Sequence, residues 1–403
     1  MMKNDGYIPG STLGIVGGGQ LGRMLLPEAR KLGLRTAVYS ASADDPAAGG
    51  ADVFVQGLLD DADGIAAFAR QCDYLTIEIE HVALEGLQQA EKMGCSVFPS
   101  SRTLGRVQDK LEQRRCFVGL SQPHFSALPD WPAGKSAAGE EDAWRQAVLA
   151  QAQAFGFPLV QKTRRGGYDG RGVAILRNQQ DVLSPEGRLL CADSYLEALI
   201  PLEQELAVIV ARSTDGSVAV FPPTEMRFDP DSNICTSVAF PARCSEKVRE
   251  TACAIAAEAA QRLDVQGLLA VELFVDGQGE VFLNEVAPRP HNSGHGTIEG
   301  LPASQYAQHL RAGLGLPLGA VEPCQPTVIV NMLGAPGAAG RPLIQSADVL
   351  LRTAGANLHW YGKKDVRPGR KMGHFTVTAE TVEQAIKRAD AIAEQVRVIA
   401  QVL

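Results

Sequence analysis

Apolar and polar positions along this chain recur with two periods, and the period changes at clusters of glycine and proline. Alternation marks a half-buried strand, whereas apolar residues spaced by three and four mark an amphipathic helix. Strand-like runs at 12–16, 36–40, 53–55 and 74–79 enclose helical stretches. One helix has the apolar face Leu21, Met24, Leu25, Ala29 and Leu32, with a kink expected at Pro27, and another covers 61–70. Such alternation predicts an open parallel sheet with crossover helices, ending near 97–100. Beyond it the pattern predicts helices over 107–117 and 141–155, separated by a Pro/Ala/Gly-rich loop at 127–139. Strands follow at 159–162, 173–176, 194–199, 205–210, 219–225 and 237–241. Ser245 caps a helix over 246–263 whose inward stripe is Val248, Ala252, Ile255, Ala256, Ala259 and Leu263. A helix at 305–314, a Pro-rich boundary at 316–326, a strand at 327–333 and a closing helix at 381–402 complete the chain. That last helix carries Val382, Ile386, Ala389, Ala393, Val396 and Ile399.

The most informative stretch is 268–296. Two apolar runs, 268–275 and 281–286, flank Asp276-Gly277-Gln278-Gly279, which predicts a hairpin. Each strand carries one acid, Glu272 and Glu285. If Val275 faces Glu280, then Glu272 lies opposite Leu283 and Glu285 opposite Ala270. Both carboxylates then share one face as diagonal neighbours, about 7–8 Å apart at the backbone. Paired acids on one face suit a hard cation with oxygen ligands, magnesium beside a nucleotide's phosphates above all; the alternative is a half-exposed hairpin with two solvated acids. A bulge of one residue would put Glu285 on the other face. Arg289, His291, Asn292, Ser293 and His295 follow in an extended run that Pro288 and Pro290 keep from becoming helical.

Two glycine-rich turns add candidate anion sites. Gly17-Gly18-Gly19-Gln20-Leu21-Gly22 follows a strand and opens a helix, the GxGxxG context. The next strand lacks the acid that would grip a dinucleotide ribose, so tight strand–helix packing competes with NAD binding. Lys162 precedes a loop containing Gly166, Gly167, Gly170 and Gly172, without the GK[ST] of a Walker loop. Lysine is a compact charge suited to phosphate, and glycines allow backbone amides to approach. Glu78 and Glu80 stand at a strand end, where open parallel sheets bind ligands. Lys363, Lys364, Arg367, Arg370 and Lys371 gather around a single Asp365, either as an anion site or as a solvated loop.

Bulk properties narrow the class. With 403 residues, 45% hydrophobic and 21% charged, the chain has the composition of a multidomain globular protein. A formal charge of −8 argues against nucleic-acid binding. Eight cysteines without CxxC or framework spacing read as reduced thiols. The absence of a signal core or a long apolar run argues against a membrane and for the cytoplasm.

The run NEVAPRPHNSGH, 284–295, resembles the signature of the ATP-grasp 5-(carboxyamino)imidazole ribonucleotide synthetases of purine biosynthesis. The resemblance extends over nearly the whole chain. It implies a mixed α/β and α+β protein: a Rossmann-like pre-ATP-grasp domain over 1–103, a split ATP-grasp domain over 104–320 with lobes at 104–196 and 197–320, and a small C-terminal α+β domain over 321–403. It implies ATP with Mg2+, or Mn2+ as the alternative ion, and aminoimidazole ribonucleotide and bicarbonate as substrates of an ATP-dependent C–N ligase, commonly a homodimer. Residues at matching positions would meet the nucleotide: Lys110, Lys162, the flap Gly167, Tyr168, Asp169, Gly170, Arg171 and Gly172, the hinge Glu197, Ala198 and Ile200, the ribose contact Glu205, and Asn284 with Glu285. Gln20, Glu78, Glu80, Lys363, Arg367 and Arg370 would meet the acceptor. Glu272 and Glu285 would hold metal, Arg289 the transferring phosphoryl group, and His291 and Asn292 bicarbonate or acceptor, with His295 a candidate base. His81, Met226 and Phe228 depart from the family pattern and keep open a related ligase with another acceptor. A non-catalytic nucleotide-binding module is the other alternative; it would be expected to lose Glu272, Glu285 or Lys162, and all three are present.

Overall fold

The computed structural model describes residues 7–132, 139–167, 172–184, 186–230 and 233–401. Tyr168, Asp169, Gly170 and Arg171 lie outside these described residues.

The N-terminal part is a parallel sheet of β1 (Thr12–Val16), β2 (Arg35–Ser40), β3 (Val53–Gln56), β4 (Tyr74–Ile77) and β5 (Ser96–Phe98), in the order β3-β2-β1-β4-β5. Helices α1 (Gln20–Lys31), α2 (Ala62–Ala69) and α3 (Leu84–Lys92) are its crossovers. Pro27 lies inside α1, which buries Leu21, Leu25, Leu26 and Ala29 against the sheet. β4 stops at Ile77, two residues short of the expected end, so Glu78 and Glu80 sit on the loop beyond it.

The expected helix over 107–117 is two helices, α4 (Ser101–Gln108) and α5 (Lys110–Cys116). Asp109 breaks it with an extended backbone, and its carboxylate caps α5 by accepting from Leu111 N and Glu112 N. A four-stranded sheet follows, β6 (Phe125–Ala127), β7 (Leu159–Thr163), β8 (Val173–Leu176) and β9 (Ser194–Ala198), ordered β6-β9-β7-β8. Helices α6 (Glu140–Phe155) and α7 (Gln179–Leu183) accompany it, with Trp144, Val148 and Ala152 of α6 in the core.

The large sheet begins with β10 (Leu202–Arg212), β11 (Val218–Val220), β12 (Thr224–Phe228) and β13 (Cys235–Phe240). The single strand expected over 219–225 is divided because Pro222 and Pro223 cannot donate to a ladder. Helix α8 (Glu246–Arg262) is capped by Ser245, whose hydroxyl accepts from Val248 N, and packs Val248, Ala252, Ile255, Ala256 and Ala259 on the sheet. Small alanines bring the helix close to the β-branched face of β10 and of β14 (Gly267–Asp276) and β15 (Val281–Ala287). After α9 (Thr297–Gly300) and α10 (Gln305–Gly313), β16 (Thr327–Leu333) pairs with β13. The C-terminal part therefore extends the same sheet, in the order β15-β14-β10-β12-β13-β16-β19-β18, using β18 (Ala356–Trp360) and β19 (Lys371–Thr378). Between β16 and β18 come β17 (Pro342–Gln345) and α11 (Ala347–Arg352).

The closing helix is shorter than the sequence suggests. α12 (Val382–Ala393) ends before Val396, and β20 (Arg397–Ala400) pairs with β17. Val396 and Val398 are core residues as an alternating strand pattern, not as further turns of the helix. Among the described residues no helix is long and apolar enough to cross a membrane.

Candidate active site

The β14–β15 hairpin forms with a register two steps away from expectation. Asp276 closes the turn, accepting from Gln278 N and Glu280 N at 2.9 Å each, and Gly279 takes φ +79°. Glu280 is thereby drawn into the loop, and Val275 meets Val281. A second shift occurs between Glu272 and Leu273, where Asn284 is the extra residue, so Glu272 lies directly opposite Glu285. Direct partners share a face, and the bulge aims Asn284 to the same side. Turn and bulge together keep both acids on one face, which either alone would not.

Lys110, the first residue of α5, reaches across to Glu285 as an ion pair. Lys162, on β7, lies 2.8 Å from Glu197 Oε2 and donates to Asn284 Oδ1 at 3.0 Å. Glu197 also receives Arg114 Nε, and a second arm of Arg114 donates to Leu283 O at 2.6 Å. His291 Nε2 stands 3.1 Å from Glu272 Oε1. Burial would raise the Glu285 carboxyl, but the Lys110 ammonium, with help from Lys162, holds it below the usual range. Glu205 goes the other way: burial, then the charges of Glu272 and Glu285, push it up to about 7.

That contrast tests the fit of a divalent ion. Glu272, Glu285 and Asn284 offer oxygen only, as magnesium prefers, and a cation would relieve the repulsion felt at Glu205. Among the described residues no group of three or more His, Cys, Asp or Glu side chains forms a metal cage. An ion here would complete its shell with phosphate oxygens and water.

On the other flank, Arg289 Nε lies 2.9 Å from Glu80 Oε1 and feels the charges of Glu78 and Glu272. Glu78 is buried and accepts from Gly19 N at 2.8 Å and Gly22 N at 3.3 Å. The glycine-rich turn thus holds the chain's own carboxylate, where a dinucleotide-binding turn would hold pyrophosphate. Gln20 starts the helix at this turn. Lys363 is half-buried, donates to Lys371 O at 2.7 Å and sits 5.6 Å from the ring centre of Tyr361. Burial, then repulsion from Arg370, lowers its ammonium to about 8, with Glu78 opposing. Arg370 donates to Asp365 O at 2.7 Å, Arg367 is exposed, and Lys364 pairs with Asp44.

His295, the candidate base, lies buried inside the protein. It is 0% exposed, with Nδ1 at 2.9 Å from Tyr306 Oη and Nε2 at 3.4 Å from Tyr361 Oη. Its ring stacks on His374 at 4.3 Å, and His374 stacks on its cross-strand partner His359 at 4.5 Å. Both nitrogens are directed at tyrosine hydroxyls of the protein itself. Asn292 opens the short helical turn after His291, whose backbone is held by Gln305: Oε1 accepts from His291 N at 2.9 Å, and Nε2 donates to His291 O at 2.7 Å. Ala198 ends β9, Ile200 follows it half-buried, Glu205 is half-buried on β10, and Gly167 and Gly172 flank the flap tip. Met226 packs with Ala207, Cys235, Val238 and Ile329, and Phe228 covers that cluster, so both departures are apolar packing.

Sequence reasoning missed Arg114, Gln305 and His309, whose buried ring joins Thr76 Oγ1 at 2.8 Å to Leu268 N at 3.1 Å. Arg114 had a signal, since it stands one helical turn beyond Lys110 on the same face. Gln305 and His309 act through partners distant in sequence and had none.

Comparison with known proteins agrees with this geometry. Family models match as a Ribonucleotide synthetase preATP-grasp domain over 11–108, an ATP-grasp domain over 136–306 and a Phosphoribosylaminoimidazole carboxylase C-terminal domain over 327–388. The N5-carboxyaminoimidazole ribonucleotide synthase of Synechococcus elongatus is 35% identical over 97% of this chain and 96% of its own length. This chain belongs to the N5-carboxyaminoimidazole ribonucleotide synthase family. It also matches the chloroplastic phosphoribosylaminoimidazole carboxylase of Vigna aconitifolia, 36% identical over 92% of this chain, but spans only 64% of that protein. A family crystal structure from Aspergillus clavatus, in complex with ADP and 5-aminoimidazole ribonucleotide, superposes with a TM-score of 0.84 at 30% identity, covering 96% of this chain and 98% of that one.

Proposed function

We propose that this chain carboxylates 5-aminoimidazole ribonucleotide with bicarbonate at the expense of ATP, through carboxyphosphate, releasing ADP and phosphate. The observation that carries the reading is a row of opposed charges: Lys162 and Lys110 beside Glu285 and Glu272, then Arg289 paired with Glu80, with Glu78 within electrostatic reach of both Arg289 and Lys363. One end suits a triphosphate and the other an acceptor phosphate, with an arginine between them.

In this reading Glu272 and Glu285, with Asn284, hold Mg2+ or Mn2+. Such an ion offsets charge on the transferring phosphoryl group. Lys110 and Lys162 neutralise phosphate oxygens. Glu197, Ala198 and Ile200 line the hinge beside the base, and Glu205 meets the ribose. Arg289, a planar donor, stabilises the phosphoryl group and then carboxyphosphate. His291 and Asn292 orient bicarbonate and the acceptor amine. Gln20, Glu78, Glu80, Lys363, Arg367 and Arg370 hold the acceptor. ADP release by the purified protein with ATP, magnesium and bicarbonate, with and without aminoimidazole ribonucleotide, tests the proposal. Acceptor-dependent release is expected, and release indifferent to the acceptor would overturn it.

A further inference from the structure

Arg114 is among the largest fully buried side chains of the protein, at 1% exposure. It rises from α5 one turn beyond Lys110 and lies on the face of the β7–β9 sheet that carries Lys162 and Glu197. Glu197 is likewise 1% exposed and takes Arg114 on one oxygen and Lys162 on the other. The second arm of Arg114 ends on Leu283 O, next to Asn284, which is itself the other partner of Lys162. The charges are one carboxylate and two cations, and only Lys162 retains access to solvent, at 12% of its side chain. A buried Glu197–Lys162 pair alone would be neutral. With Arg114 added, the trio keeps one net positive charge, and it emerges at Lys162.

We infer that Arg114 is a positioning residue of the nucleotide site, whose guanidinium offsets Glu197 so that the buried trio keeps a net positive charge facing phosphate beside Lys162. Burial and the Arg114 charge both lower the Lys162 ammonium while Glu197 opposes them, so what Arg114 supplies is net charge in the trio and not a higher affinity of Lys162 for its proton. It touches no substrate and acts through Glu197 and the Leu283 carbonyl. The inference rests on the reading that Lys162 meets the nucleotide.

Charge balance predicts a pattern that packing alone does not. Arg114→Met keeps the length of the side chain and removes its charge. It should weaken ATP binding, measured calorimetrically with magnesium, by about tenfold or more, the scale of one lost unit charge at short range in a partly buried site. The KM for aminoimidazole ribonucleotide should stay within about twofold, because that acceptor binds at the far end of the charge run. Arg114→Lys should restore most of the affinity. The decisive readout is the dependence on ligand charge: Arg114→Met should lose about tenfold or more in affinity for ATP but stay within about threefold of wild type for adenosine, which carries no phosphate. Equal losses for both ligands, the signature of a packing role, or an Arg114→Met variant that binds ATP normally, overturns the inference. If Arg114→Met does not fold, Arg114→Gln and Arg114→Lys decide by the same thresholds: the neutral glutamine should lose ATP affinity and the charged lysine should keep it. A wild-type protein that failed to bind nucleotide would sink the proposed function instead, and so is told apart.

Discussion

Acidification should loosen the joint between the two flanks of the site through His309. Its ring is fully buried on α10, where Nδ1 accepts from Leu268 N at 3.1 Å and Nε2 therefore carries the proton toward Thr76 Oγ1 at 2.8 Å. Thr76 lies on β4 two residues before Glu78, and Leu268 lies on β14 four residues before Glu272. Burial lowers this imidazole to about 3. In the unfolded chain it titrates at about 6.5. Below that value the unfolded state takes up a proton that the native state refuses, so the stabilisation is present above about pH 6.5 and is lost as pH falls. Between pH 7 and pH 5 the loss integrates to about 2 kcal/mol for this one side chain. Urea unfolding of wild type and His309→Asn at both pH values isolates it. Any constant cost of the substitution cancels, as do contributions shared by both proteins, including His295 and His374. The wild type should lose about 2 kcal/mol more than the variant on acidification. A double difference below about 0.5 kcal/mol would refute the argument, because a neutral, proton-refusing His309 cannot give it.

Glu285→Gln should lower magnesium-dependent ADP release by about two orders of magnitude, the scale for one lost electrostatic contact to the transition state, with circular dichroism unchanged; near-normal turnover would remove the metal assignment. Lys363→Ala should raise the KM for the acceptor far more than that for ATP, and an equal effect on both would move the acceptor site elsewhere. Because burial lowers Lys363 to about 8, kcat/KM for the acceptor should fall as pH rises through that value and its ammonium is lost. Lys363→Arg should abolish that alkaline limb, since arginine stays charged. Gly17→Ala should cost about 1–3 kcal/mol in thermal unfolding and raise the acceptor KM, because residue 17 has φ +106° and a Cβ there would stand 2.5 Å from Glu78 Cγ.

Much of this architecture is legible in local pattern, and the failures share a cause. The hairpin, the Ser245 cap and the inward stripe of α8 follow from periodicity within a few residues of each feature. Register is less local. The side chain of Asp276 lengthens the turn, and the polar pair Asn284-Glu285 between Leu283 and Val286 breaks alternation at the bulge. That doublet was visible and is the signal from which the direct Glu272–Glu285 pairing could have been read. Val396–Ile399 fits both a continued helical stripe and a strand, and only pairing with β17 selects the strand. His295 looked available because it follows a polar loop. Its burial depends on Tyr306, on Tyr361 just after β18 and on His374 of β19, the last two far along the chain.

The glycine-rich turn shows how one motif supports two chemistries. Its amides and the start of α1 form an anion site in any sequence of this kind. Here Glu78, delivered from the end of β4, satisfies Gly19 N and Gly22 N, and no room remains for pyrophosphate: a Cβ on Gly19 would already lie 2.5 Å from Glu78 Oε1. The missing ribose acid after β2 and the presence of this carboxylate are two faces of one arrangement. An anion site that is filled internally no longer binds a cofactor; it fixes a carboxylate. Glu78 is then held rigidly enough to draw on Lys363 from the C-terminal part and on Arg289 from the loop after β15. Burial raises the Glu78 carboxyl, and the amides of Gly19 and Gly22 with the Arg289 charge oppose that rise, so the N-terminal sheet contributes a fixed carboxyl group within electrostatic reach of two cations from distant parts of the chain.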